Sequence, residues 1–324
     1  MALWTTIAEK AAAVRTRRAI ARRLADLDVT PNQTLRGEIE EWAAEHGDRL
    51  ALVGAAGTER LSYDDLARRA ARWARWTILH GIDRGEPVGL VMADRPERVA
   101  AWTGIAAAGA VAALLDPRRD GPALAAAIAA VAPRHLAVDA ALLPRFESAA
   151  PHLTAMAAVW IHGPHAMAYP RLDEALDELS PERLRPADRR PISARDDALW
   201  LPSATGDPVR LSHRRVIRRL HAAAAACATG PGDRLLLAEA AAVDALAPGL
   251  TLTTGGVTVF GTASPSTDAA TTGSAPPRAD LVARIDPAAA ALRVERPAPS
   301  RLVLWRDGDL LTASGHLLWH DDDA

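Results

Sequence analysis

Between Val88 and Glu147 the sequence switches repeatedly between short apolar runs and longer stretches of helical period, and few folds accept that pattern. The runs Val88–Met92, Val111–Leu115 and His135–Val138 are candidate strands, separated by candidate helices over Glu97–Ala108 and Pro122–Val131 and followed by Ala140–Glu147. Crossover helices of this length join parallel strands. Each candidate strand is apolar throughout rather than alternating, as expected of a strand covered on both faces. The class predicted is therefore α/β, with mainly parallel sheets flanked by helices. Trp73, Trp102 and Val111 to Leu114 are expected in its interior, because the helical and strand periods point them inward.

The flanking segments extend the pattern. Ile7–Asp26 carries Val14, Ile20 and Leu24 on one side and Arg15, Arg18, Arg22 and Arg23 on the other, which predicts a helix with a basic face. Leu35–His46 reads as a second helix, Leu50–Val53 as a strand returning through Gly57 to Glu59–Ser62, and Ser62 with Asp65 as a capping-box-like helix start. A less periodic link holds a strand at Ala157–Ile161. The polar, proline-bearing stretch Ser180–Arg195 is the best internal boundary. Beyond it come a strand at Ala198–Leu201, a helix at Arg214–Ala228, and strands at Arg234–Leu237 and Gly256–Phe260. Thr262–Arg278 has no period and little bulk to bury, which suggests a flexible linker. Leu302–Trp305, the Asp307-Gly308 turn, Leu310-Leu311, the Ser314-Gly315 turn and His316–Trp319 carry hairpin signals. The segmentation predicted is an N-terminal helical extension (1–34), a first α/β lobe (35–179), a second lobe (196–261), a linker (262–279) and a C-terminal hairpin remnant (280–324).

Composition removes several classes of function. The 324 residues are 49% hydrophobic and 24% charged with a formal net charge of −2, a balance that makes nucleic acid an unexpected partner. Cys227, the one cysteine, sits in an apolar run and reads as core packing, so neither a disulfide framework nor a cysteine metal cluster is expected. No stretch reaches the roughly 18 apolar residues of a membrane span, and Met1–Thr6 runs into charged residues unlike a signal peptide. The cytoplasm is the expected location, with attachment to a membrane surface through the basic helix as the alternative. His162, His165, His316 and His320 have no recognised metal spacing. Ser212 beside His213 reads as a helix cap next to a packing histidine, and Gly255-Gly256 lacks the strand-to-helix setting of a dinucleotide fingerprint.

Several motifs in register resemble one family. Asp94-Arg95-Pro96-Glu97, then Val99-Ala100-Ala101-Trp102-x-Gly104, then Gly109-Ala110-Val111-Ala112-Ala113-Leu114 resemble the N-R-P-E, V-A-x-W-x-G and G-A-V-A-A-L segments of fatty-acid-transport-type, very-long-chain acyl-CoA synthetases. These belong to the adenylate-forming, AMP-binding superfamily. Leu61-Ser62-Tyr63 resembles its L-T-Y helix start. Ser203, Thr205, Gly206 and Pro208, followed by Val209-Arg210-Leu211 and Ser212-His213-Arg214, resemble its phosphate loop T-S-G-T-T-G-x-P-K and the strand ending S/T-H-R. Arg306-Asp307-Gly308-Asp309-Leu310 resembles R-T-G-D-L, and Gly315-His316-Leu317 with Asp321 resembles G-H-L-x-x-x-D. The resemblance implies the large N-terminal domain of the adenylate-forming fold. It implies nucleotide contacts at Ser203, Thr205 and Gly206, and a ribose contact at Asp309. Without it, Asp307-Gly308 is an ordinary hairpin turn and Asp309 a solvated carboxylate.

The departures weaken that implication. Such a loop grips phosphate through converging backbone N–H groups and a lysine. Here the first loop glycine, the second hydroxyl and the lysine after the proline have no counterpart, and the chain's one lysine is Lys10. The family's Y-G-x-T-E glutamate, which helps hold magnesium, has no match between Phe260 and Leu302, and Ala238-Glu239-Ala240-Ala241-Ala242 replaces its aromatic-histidine motif. The smaller C-terminal domain is expected to be missing. The reading favoured is a catalytically silent relative, with no catalytic residue assigned, that binds an acyl group, a nucleotide or a partner protein. A residual ATP-dependent acid ligase completed by a partner chain is one alternative, and only that reading brings in ATP or AMP and Mg2+ as required ligands. A scaffolding protein associating with a partner or a second copy through the C-terminal hairpin is the other.

Overall fold

The computed structural model describes residues 2–27, 33–55, 57, 59–155, 157–166, 168–201, 207–237, 246–261, 281–286, 291–296, 301–306, 309–312 and 317–320. In chain order the elements begin with α1 (Ala2–Leu27), α2 (Leu35–His46), β1 (Leu50–Val53), β2 (Arg60–Ser62), α3 (Tyr63–Leu79), β3 (Pro87–Val91), α4 (Pro96–Ala107) and β4 (Val111–Leu114). They continue with α5 (Gly121–Val131), β5 (His135–Asp139), α6 (Leu143–Ala149), β6 (Ala158–His162), α7 (Leu172–Asp177), β7 (Asp197–Leu201), β8 (Val209–Ser212) and α8 (His213–Cys227). The remaining strands are β9 (Arg234–Leu237), β10 (Val257–Phe260), β11 (Leu281–Asp286), β12 (Ala291–Arg296), β13 (Arg301–Arg306), β14 (Asp309–Thr312) and β15 (Leu317–Trp319).

Two compact units divide the chain. One comprises residues 31–48 and 63–216. Its six-stranded sheet has the order β6-β5-β3-β4-β7-β8, parallel except for the antiparallel β7–β8 pair. The crossovers predicted from the alternating apolar runs are present, and every residue of β4 is buried. Val91, Val111, Leu124, Ile128, Leu136 and Phe146 form one packed cluster. Trp73, Trp76 and Trp102 are fully buried, in line with their helical phase. α3 and α4 approach closely because Gly104 has no side chain there: a Cβ would stand 2.4 Å from the Ala70 carbonyl oxygen.

The other unit comprises residues 1–30, 49–62 and 217–324. Its mixed nine-stranded sheet has the order β15-β14-β13-β12-β11-β9-β10-β1-β2. The neighbours from β11 through β9 and β10 to β1 are parallel, and the others antiparallel. α1 packs on β15, where the Arg17 Nε–H donates to the Leu317 carbonyl at 2.9 Å. Farther along, Arg23 Nε–H donates to His221 Nδ1 at 2.8 Å. Ile20 and Leu24 are buried as expected, but Val14 is exposed, so the apolar stripe of α1 is narrower than its sequence suggests.

The two compact units are bounded differently from the segmentation expected from sequence. Residues 49–62 leave the predicted first lobe (35–179), because β1 pairs with β10 some two hundred positions later. The predicted second lobe (196–261) is itself split: β7 pairs with β4, while β9 and β10 belong to the nine-stranded sheet. Ser180–Arg195 therefore lies inside one unit, and the division falls within α8. The helical extension (1–34) joins the nine-stranded unit only through residue 30. The C-terminal remnant (280–324) is more than a hairpin, since β11 adds it to β9 in parallel register. The pairings of β1 with β10, β4 with β7, and β9 with β10 and β11 are parallel and non-local, and local composition does not encode such partners. The linker expected at 262–279 lies outside the described residues.

Candidate functional site

The loop singled out by sequence is framed by an antiparallel pair. Leu201 faces Val209 at the last register position of β7 and β8, so residues 202–208 connect the two strands. Ser203, Thr205 and Gly206 lie outside the described residues. The frame around them is well held. Trp200 Nε1–H donates to Asp197 Oδ2 at 3.0 Å, and the Arg210 guanidinium lies 4.5 Å from the centre of the Trp200 ring. Arg210 is the nearest basic residue after Pro208, and this stacking commits its charge to an indole face.

Immediately after β8, Ser212 Oγ accepts the Arg215 N–H at 3.2 Å and so caps α8, the role read from sequence. His213 is fully buried. Its backbone N–H donates to the Asp196 carbonyl at 3.0 Å, and its Nδ1 accepts the Leu35 N–H at 3.4 Å. Burial pushes its pKa down to about 4; Asp196 opposes this and Arg36 reinforces it. His213 is thus a neutral packing residue, and the Ser-His pair is not arranged for nucleophilic chemistry. Asp196 itself receives both oxygens' worth of bonding from Arg84, at 2.6 and 2.7 Å.

Asp309 belongs to the nine-stranded unit, where it pairs with Arg306 across the Asp307-Gly308 connection, the hairpin expected there. Leu310, Leu311 and Leu318 in this region are buried, and Leu317 is exposed. His165 is held between the carbonyls of Gly163 and Tyr169, each at 3.0 Å. Among the described residues no group of three or more His, Cys, Asp or Glu side chains could hold a metal, and no helix is long and apolar enough to cross a membrane. Cys227 is buried, as its apolar run predicts.

A second polar centre was not anticipated as a site. Glu97, at the start of α4, is nearly enclosed, and its carboxylate accepts Trp73 Nε1–H at 2.7 Å and Arg69 Nη1–H at 2.8 Å. Asp139, the last residue of β5, accepts the Ala93 N–H at 2.8 Å and Arg95 Nη2–H at 2.6 Å. Arg95 Nη2 also lies 2.9 Å from His162 Nδ1. The available signal was the position of Asp94–Glu97, just past an all-apolar strand, where parallel sheets gather ligands.

Residues 39–273 match the AMP-binding enzyme family. The chain belongs to that family. It is 31% identical over 192 residues to a 3-hydroxybenzoate–CoA ligase of Aromatoleum sp. (strain CIB), covering 58% of this chain and 36% of that protein. Human long-chain fatty acid transport protein 6 is 34% identical over 100 residues, covering 31% of this chain and 16% of that protein. The chain thus spans well under half the length of these curated relatives. Among solved structures, an anthranilate CoA ligase in complex with anthranoyl-AMP superposes with a TM-score of 0.63 at 17% identity, covering 73% of this chain and 45% of that one. A Mycobacterium tuberculosis fatty acyl CoA synthetase gives 0.61 at 20% identity, covering 70% and 44%. These likenesses establish the fold of the N-terminal domain of adenylate-forming enzymes for this AMP-binding family member.

Proposed function

We propose that this acyl-CoA-ligase-like protein acts by binding an acyl or nucleotide ligand and does not form acyl adenylates on its own. The observation that supports this reading most directly is the loop frame. Its sequence has no lysine, and the nearest arginine after Pro208, Arg210, is stacked on Trp200. Adenylation requires carboxylate attack on the α-phosphate of ATP while cations neutralise the departing pyrophosphate. An ammonium and a guanidinium differ in shape and hydration, so a stacked arginine is a poor replacement for a loop lysine. Loss of two such contacts, at about 3 kcal/mol each, slows the reaction by several powers of ten.

The segment between Phe260 and Leu302 points the same way. No Y-G-x-T-E motif occurs in it, and its described parts include the paired strands β11 and β12. Titration of the full chain with ATP, AMP and a non-hydrolysable acyl-adenylate mimic tests the proposal. Binding of AMP or the mimic with weak ATP affinity supports it. Formation of acyl-AMP from ATP and a carboxylic acid, abolished by Thr205→Ala, contradicts it, as does failure to bind all three nucleotides and every acyl ligand tried.

A further inference from the structure

In the six-stranded sheet the connection after β3 runs through α4 to β4 on one side, while the connection after β5 runs through α6 to β6 on the other. The strand order therefore reverses between β3 and β5. Open parallel sheets bind ligands in the crevice at the carboxyl ends of strands at such a point. The ends of β3, β5 and β6 bring Glu97, Asp139 and His162 there, and a cavity of about 200 Å³ opens beside them, lined by Arg69, Arg72, Trp73, Glu97, His162 and Leu176 among others. It belongs to α3, α4, α7 and β6, not to the loop after β7 or to β9.

The hydrogen bonding says what this cavity lacks. A guanidinium only donates, so the 2.9 Å contact from Arg95 Nη2 makes His162 Nδ1 an acceptor and places the ring proton on Nε2. That Nε2–H faces Glu97 Oε1 across 3.7 Å, too long for a hydrogen bond. The carboxylates around the cavity are already engaged. Glu97 accepts from Trp73 and Arg69, Asp177 accepts Arg72 Nη1–H at 2.8 Å, and Asp173 accepts from Arg171 and from the Gly163 N–H at 3.1 Å. The missing complement is an acceptor. The three carboxylates disfavour a dianion, and the volume excludes a long acyl chain.

We propose that this cavity binds a short-chain monocarboxylate, which accepts from His162 Nε2–H and from the Arg72 guanidinium and lays its few carbons against Leu176. The site is separate from the one marked by the family's loop motif, and nothing in its construction depends on adenylation.

The test is a titration of the full chain, labelled with 15N-histidine, with sodium propionate and in parallel with inorganic phosphate, following the imidazole nitrogens by NMR. The expected result is a His162 spectrum of the Nε2–H tautomer that shifts saturably with propionate, and a roughly tenfold or greater loss of affinity in Arg72→Gln, the size expected for losing a hydrogen bond to a charged group. His165→Gln, whose native ring is held by two backbone carbonyls, leaves propionate binding unchanged. The proposal is overturned if propionate produces no saturable change at His162, if phosphate binds more tightly than propionate, or if Arg72→Gln binds propionate as the parent does.

Discussion

Trp73 on α3 donates its indole N–H to Glu97 on α4 at 2.7 Å, in a setting where both side chains are almost completely enclosed. A buried carboxylate that loses one of its donors is left with part of its desolvation cost uncompensated. Trp73→Phe, which keeps most of the ring, should therefore destabilise the protein by about 1–3 kcal/mol. A double-mutant cycle with Glu97→Gln, read by denaturant unfolding, should show coupling between the two sites. Strict additivity would mean that the hydrogen bond contributes nothing.

Glu97 also predicts an acid limb. Burial raises its pKa, and the positive charge that His162 carries once protonated, the Trp73 N–H and Arg69 outweigh burial, leaving the carboxyl below its ordinary value of 4.5. The unfolded chain takes up this proton first. The contribution is complete above about pH 4.5 and is lost as pH falls from there through the lower folded pKa. Glu97→Gln should flatten the stability curve in that window and nowhere above it.

His213 acts in a different window. Its folded pKa is depressed from 6.5 to about 4 by burial, so between those values the unfolded state binds the proton and the folded state does not. Stability from this neutral ring is full above pH 6.5 and falls as pH drops toward 4, by on the order of 3 kcal/mol in total. His213→Asn, which can still accept the Leu35 N–H, should remove that slope. An unchanged slope between pH 6.5 and 4 would show that other groups produce it.

The close approach at Gly104 predicts the sign of a substitution that helix propensity alone gets wrong. Alanine gains about 1 kcal/mol over glycine within a helix. A Cβ at 104, however, would stand 2.4 Å from the Ala70 oxygen and 2.5 Å from Trp73 Cβ, and backbone cannot rotate away as a side chain can. Gly104→Ala should lower stability by about 1–3 kcal/mol net, as overpacking does. A raised melting temperature would contradict the packing described here.

Much of the six-stranded unit was legible in the sequence because its signals are local. Val111–Leu114 reads as a doubly covered strand from four consecutive small or apolar residues, and Trp73 and Trp102 read as buried from helical phase alone. The nine-stranded sheet was less legible. β11 (LVARID) and β12 (ALRVER) alternate apolar and charged residues only over Ala283–Asp286 and Leu292–Glu295, too short a strand signal to stand out beside a long low-complexity stretch. α7 has only six residues, too few to show a period. The network joining Asp139, Arg95, His162 and Glu97 draws on three separate segments, the start of α4 and the ends of β5 and β6, and only the strand order reveals that they meet.

The most direct test of the central proposal is acid-dependent release of pyrophosphate from ATP by the full chain with Mg2+, across a panel of aliphatic and aromatic carboxylic acids. The account predicts release no faster than in the absence of any acid, consistent with a loop frame that offers no lysine. Stoichiometric or faster release with one acid, abolished by Thr205→Ala, would contradict it and establish the chain as an adenylating enzyme.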